Sequence, residues 1–188
     1  MLGRLGPRRG LLRSPSQGCL LQLQQRFAST FQKLGLSPPL LAAVSDLKLS
    51  SPTGIQEAAF PVLQSGANTV LTSYTGSGKT LAYMLPMVQR LRKEEEAAGD
   101  TWQTRLRRPR ALVICPSREL SFQVASVLKS ISHSAPLRSA VVVKGNARYR
   151  DSSASLDRPI DVVVGTVGRL LKRLEDGSMF LSDVSHVI

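Results

Sequence analysis

The chain has 188 residues, long enough for one domain with a hydrophobic core and too short for two large ones. Hydrophobic residues make up 42% and charged residues 20%, which excludes a largely disordered chain, and no apolar run reaches the length of a membrane span. The formal net charge is +12, which suits a polyanionic partner such as nucleic acid and equally a solvated basic surface. Cys19 and Cys115 make no disulfide framework, and His133 and His186 have no metal-ligand spacing around them.

The first 30 residues are set apart by composition. They hold five arginines (Arg4, Arg8, Arg9, Arg13, Arg26), and no Asp or Glu occurs before Asp46. Arg, Leu, Gln and Ser without acids is the make-up of an organellar transit peptide, with "QRFAS" as a processing site near Ala28. A mitochondrial destination is favoured and a plastid one is the alternative. The competing reading is an ordinary basic tail.

From Phe31 onward helical and strand patterns alternate. Helices are predicted over 38–48, 54–66, 79–96, 118–131 and 167–177, the last closed by Gly177. The third is expected to bury Leu81, Leu85, Val88 and Leu91 despite Pro86. Strands are predicted over 68–73, 110–115, 139–144 and 160–165, and "SHVI" opens another. Such alternation predicts an α/β fold with a mostly parallel sheet, whose ligands bind at the carboxyl ends of the strands. Residues 92–110 break the pattern and read as a solvated connection. Its "RLRRPR" cluster suits either RNA contact or a soluble loop.

Between a predicted strand and a predicted helix lies "SYTGSGKT", residues 73–80. Gly76 and Gly78 let the backbone curl so that N–H groups converge on a phosphate, and the helix N-terminus adds positive character. Ser73, Tyr74, Thr75 and Ser77 complete the loop. Lys79 reaches the outer phosphates and the Thr80 hydroxyl suits Mg²⁺. Such a loop serves kinases, GTPases and helicases alike.

The neighbouring motifs are more selective. "SPTGIQ" (51–56) precedes the loop, with Phe31 lying 25 residues before Gln56. "PSREL" (116–120), "VVVKGNAR" (141–148) and "TVGR" (166–169) follow at strand ends. In this order the motifs resemble those of the DEAD-box ATP-dependent RNA helicases, from Phe31 to the last residue, and "RPIDVVVGT" looks closest to plant organellar members associated with ribosomal RNA maturation. The resemblance implies a RecA-like P-loop NTPase domain over 31–188. It implies adenine recognition by Thr53 and Gln56 with support from Phe31, and Leu49 stands where the family commonly has a base-stacking aromatic. It assigns Pro116, Ser117, Arg118, Gly145, Thr166, Gly168 and Arg169 to the RNA backbone. Val167 replaces the family's Pro, and Lys144 replaces a Gly.

The resemblance also implies ATP and Mg²⁺ as cofactors and RNA as a sequence-independent partner, with ribosomal RNA or the assembling ribosome as its source. In the family "VSHVI" leads into a strand ending in Asp-Glu-Ala-Asp, the Walker B strand, and this chain stops at Ile188. The expectation is an N-terminal fragment of a helicase that holds ATP and RNA backbone without the hydrolysis motif. The alternative is a short non-catalytic ATP- and RNA-binding module.

Overall fold

The computed structural model describes residues 30–99, 104–144 and 156–188. The leader up to Ser29, Trp102 and Gly145 lie outside the described residues. A helical turn at 30–33 is followed by α1 (Pro38–Asp46), α2 (Gly54–Gln64) and α3 (Lys79–Ala98). Then come β1 (Ala111–Cys115), α4 (Arg118–Ile131), β2 (Ser139–Val142), β3 (Val162–Thr166), α5 (Val167–Glu175) and β4 (His186–Val187).

The strands form a four-stranded sheet in the order β2-β3-β1-β4, and every pair is parallel. Strand side chains alternate between two faces, and each face has its own core. Ala111, Val113, Cys115, Val162 and Val164 pack with Phe31, α1, α3 and α4. Leu112, Ala140, Val142 and Val163 pack on the other face with Leu170 of α5, Leu156 and Met179. Two covered faces explain why the β-branched runs here show no polar alternation. The α/β class with a parallel sheet is the one the sequence predicts.

Gly165 is needed for sheet closure. A Cβ there would stand 2.5 Å from the Val142 carbonyl oxygen on β2. At the far end of α5, Gly177 takes φ +68 and ends the helix as predicted.

Two expectations are corrected. Residues 68–73 form no strand: the chain from 67 to 74 is without regular structure and Val70 is 92% exposed. A strand exists only through the hydrogen bonds of a neighbouring strand, and among the described residues no strand pairs with this segment. β4, which pairs with β1 on one side, has its other edge unpaired in the sheet. Between that edge and residues 66–71 lies a cavity of about 600 Å³, lined also by Tyr83, Met87 and Arg90 of α3.

Nor are residues 92–110 a plain solvated connection. α3 continues to Ala98, and the arginines after it find partners far along the chain. Arg105 makes a bidentate pair with Asp183, at 2.9 and 2.8 Å. Arg107 bonds Asp157 at 2.7 Å, and Arg108 lies over the Phe180 ring and bonds Ser182. Arg110 is 3% exposed and bonds Asp161, Glu95 and the Leu91 carbonyl. The basic run is a clasp that ties the entry to β1 to the segments before β3 and β4.

Candidate functional site

α2 and α3 lie side by side and run in the same direction. Gln56 bonds the carbonyl of Gly78 at their N-terminal ends, and Gln64 bonds that of Pro86 one stage further along. Both helices therefore direct their positive ends to one place. There the loop 73–80 turns through Gly76 (φ +84) and Gly78 (φ +89), both in the left-handed region that favours glycine. Lys79 opens α3, and its ammonium donates to the Ser73 and Tyr74 carbonyls at 2.7 Å each. Tyr74 is 78% exposed, whereas Ser77 is buried with no hydrogen-bond partner for its hydroxyl.

Gln56 is 5% exposed and both ends of its amide are engaged. Its Oε1 accepts from the Thr53 N–H at 3.0 Å, half of a capping box that opens α2. Its Nε2 donates to the Gly78 carbonyl at 3.2 Å. The residue that the sequence assigns to adenine thus docks on the phosphate loop itself. Thr53 is exposed beside it, while Phe31 is buried in the core at 1% exposure. Leu49 packs half-buried against the same core.

Thr80 and Tyr83 face the large cavity from α3. Burial pushes the Tyr83 phenol up, and a side-chain hydrogen bond with Thr80 partly offsets this. Burial likewise raises the Cys115 thiol, which is a free cysteine at the end of β1. Among the described residues no group of three His, Cys, Asp or Glu is placed to hold a metal ion.

The other motifs meet because β1 and β3 pair with Cys115 opposite Thr166. This register brings Pro116–Arg118 and Thr166–Arg169 alongside each other at the carboxyl ends of the strands. Ser117 is the N-cap of α4, and its hydroxyl oxygen accepts from the Leu120 N–H at 3.1 Å. Thr166 is the N-cap of α5 and makes no side-chain cap bond. Gly168 is exposed, and Arg118 and Arg169 are half-buried. The structure thus brings all the described site residues to one end of the sheet except Phe31, which lies in the core. Sequence reasoning missed Gln89 and Arg90. Their signal was polarity at positions of α3 that otherwise face inward.

Residues 53–188 match the DEAD/DEAH box helicase family. The chain is 45% identical over 164 residues to "DEAD-box ATP-dependent RNA helicase 39" of Arabidopsis thaliana, covering 87% of this chain and 26% of that protein. It is 36% identical over 162 residues to "ATP-dependent RNA helicase DeaD" of Escherichia coli (strain K12), covering 86% and 24%. It is 36% identical over 160 residues to "DEAD-box ATP-dependent RNA helicase 50" of Oryza sativa subsp. japonica, covering 85% and 24%. The chain spans about a quarter of the length of these relatives. The loop between two parallel helices, the paired strand-end motifs and the match over most of the chain lead to one assignment: the chain belongs to the DEAD/DEAH box helicase family.

Proposed function

We propose that this chain is the ATP- and RNA-holding front part of an ATP-dependent RNA helicase. The observation that carries the reading is the loop 73–80, opening α3 and docked on Gln56. The loop fits a phosphate chain: it has two left-handed glycines, a helix N-terminus and a buried Ser77 hydroxyl lacking an acceptor. Lys79 would exchange its two loop carbonyls for the outer phosphate oxygens. Thr80 would supply one hard oxygen to Mg²⁺, the rest coming from phosphates and water. When bound, the ion neutralises charge on the phosphates. Thr53 and Gln56 take the adenine side, and Phe31 supports them from the core.

RNA would lie across Pro116–Arg118 and Thr166–Arg169, with Gly145 beside them. N-cap hydroxyls, helix N-termini and two guanidinium groups bind phosphates without reading bases. The sequence of this chain contains no Asp-Glu-Ala-Asp, so turnover in this reading needs groups beyond those present here. The acid-free, arginine-rich leader supports an organellar address, mitochondrial before plastid, and with it a ribosomal RNA substrate. No helix of the described residues is long and apolar enough to cross a membrane.

Lys79→Ala tests the reading through ATP affinity measured by calorimetry. Tight binding should be lost, and unchanged affinity would overturn the phosphate assignment. Arg118→Ala and Arg169→Ala should weaken RNA of any sequence alike and flatten the salt dependence of binding. Fusing residues 1–40 to a fluorescent reporter tests the address, and a diffuse cytosolic signal would refute it.

A further inference from the structure

A polar residue sits in the middle of α3 where the core would accept an apolar one. Gln89 is 2% exposed, beside buried Leu85 and Val88. A buried amide is costly unless both its ends are bonded. Both are, and to one remote turn: Oε1 accepts from the Ser37 N–H at 2.8 Å, and Nε2 donates to the Gly35 carbonyl at 2.9 Å. That turn ends the helical turn bearing Phe31, where the Leu34 N–H donates to the Phe31 carbonyl and the Gly35 N–H to that of Gln32. The next residue of α3 holds the other neighbour. The Arg90 guanidinium lies within 3.5 Å of the carbonyl oxygens of Leu63 and Gln64, at the end of the helix that Gln56 opens. Adjacent residues of the phosphate-loop helix thus grip the two segments assigned to adenine.

We propose that Gln89 is a positioning residue for base recognition, fixing the Phe31 segment at a set offset from the phosphate loop. The proposal rests on the reading that Phe31, Thr53 and Gln56 form the adenine side. A nucleotide's base and phosphates are covalently joined. A site that reads both gains affinity only if its two halves are held at the matching separation before binding. Packing alone does not call for Gln89, since a methionine of similar length would fill the space without a buried amide.

The test compares ATP with inorganic tripolyphosphate, both with Mg²⁺, on the full chain by calorimetry, with melting curves to confirm folding. Gln89→Met removes both bonds from the α3 side. Ser37→Pro removes one from the other side, at a residue whose φ is already −66°. Each variant should weaken ATP by about tenfold, as loss of a buried hydrogen bond would, and leave tripolyphosphate unchanged. Equal losses for both ligands, no loss for either, or loss in only one of the two variants overturns the proposal. Unmodified chain that binds ATP no more tightly than tripolyphosphate overturns the adenine reading, and this proposal falls with it. That outcome is told apart from the others because it needs no variant.

Discussion

Gly78 carries two constraints at once. Its φ of +89 lies in the left-handed region, and a Cβ there would stand 2.5 Å from Gln56 Nε2 and 3.2 Å from Thr53 Oγ1. The backbone strain belongs to the residue alone, while the crowding belongs to the pair. Gly78→Ala should therefore cost about 1–2 kcal/mol from strain in any background. Most of a further ~1–3 kcal/mol should appear only while Gln56 is present, the 3.2 Å contact with Thr53 accounting for the rest. Denaturant unfolding of the two single variants and of the Gln56→Ala, Gly78→Ala double variant reads this difference directly. Equal costs of Gly78→Ala in both backgrounds would refute the contact. At this scale the sequence shows the glycines and the Lys-Thr, because loop chemistry is written in adjacent residues. It does not show that the Gln56 amide bonds the loop, because that partner lies 22 residues away and is a backbone carbonyl, which has no residue identity to read.

Elements are legible where a local pattern decides them. The helices 118–131 and 54–64 follow from their 3.6-residue periodicity, and the Val-rich run at 162–166 is a strand because it is buried on both faces. The segment 68–73 forms no strand despite its apolar run, because that run is only half of a strand's cause, the other half being a neighbour. The clasp of arginines was open in sequence for a similar reason: Arg105 and Arg107 meet acids 78 and 50 residues onward. Within the clasp Arg110 and Asp161 tie the start of β1 to the start of β3, and Asp161 extends the tie to the start of β2 by accepting from the Arg138 N–H at 2.9 Å. Asp161→Ala removes a buried carboxylate from beside a buried guanidinium that Glu95 and the more distant Glu94 also face. It should destabilise the chain by about 3–5 kcal/mol in denaturant unfolding. A loss within about 1 kcal/mol, the worth of an exposed pair, would show that the pair is not buried as described. β4 carries a titratable group of its own, His186. Burial holds the His186 imidazole below its ordinary value of 6.5, with Arg90 and Arg110 adding to the effect and Glu94 opposing it. Above that value both folded and unfolded chains are neutral there, so nothing is lost. As the pH falls through it, the unfolded chain takes up the proton first and stability drops. His186→Gln should flatten the fall in stability between about pH 7 and pH 5. A parallel pH profile would exclude His186 as its source.

Among the described residues the sheet has both faces covered and two edge strands, β2 and β4, of which β4 borders the cavity. Cores on the two faces hold β1, β2 and β3, and Val113, Val142, Val162, Val163 and Val164 are almost fully buried. On the β4 side, Val187 is 64% exposed, and Ala67, Asn68, Thr69 and Leu71 line the same cavity. The β1–β4 ladder runs through Ile188, whose N–H donates to the Leu112 carbonyl and whose carbonyl accepts from the Ile114 N–H. The peptide groups on the opposite side of β4 therefore face the cavity, and among the described residues no strand pairs with them. An apolar edge with unpaired backbone groups is a template for another strand. This is a property of the assembled sheet and of no local stretch, so no sequence window shows it. It predicts that the chain on its own self-associates as its concentration rises, edge to edge. A lysine at an exposed edge position disfavours such pairing, because it must be desolvated when the edges meet. Val187→Lys should shift the sedimentation-velocity distribution towards monomer and leave the melting temperature nearly unchanged, since that side chain is already mostly in water. Monomer at all concentrations in both proteins, or self-association that the lysine does not reduce, would show that this edge is not the surface where copies meet.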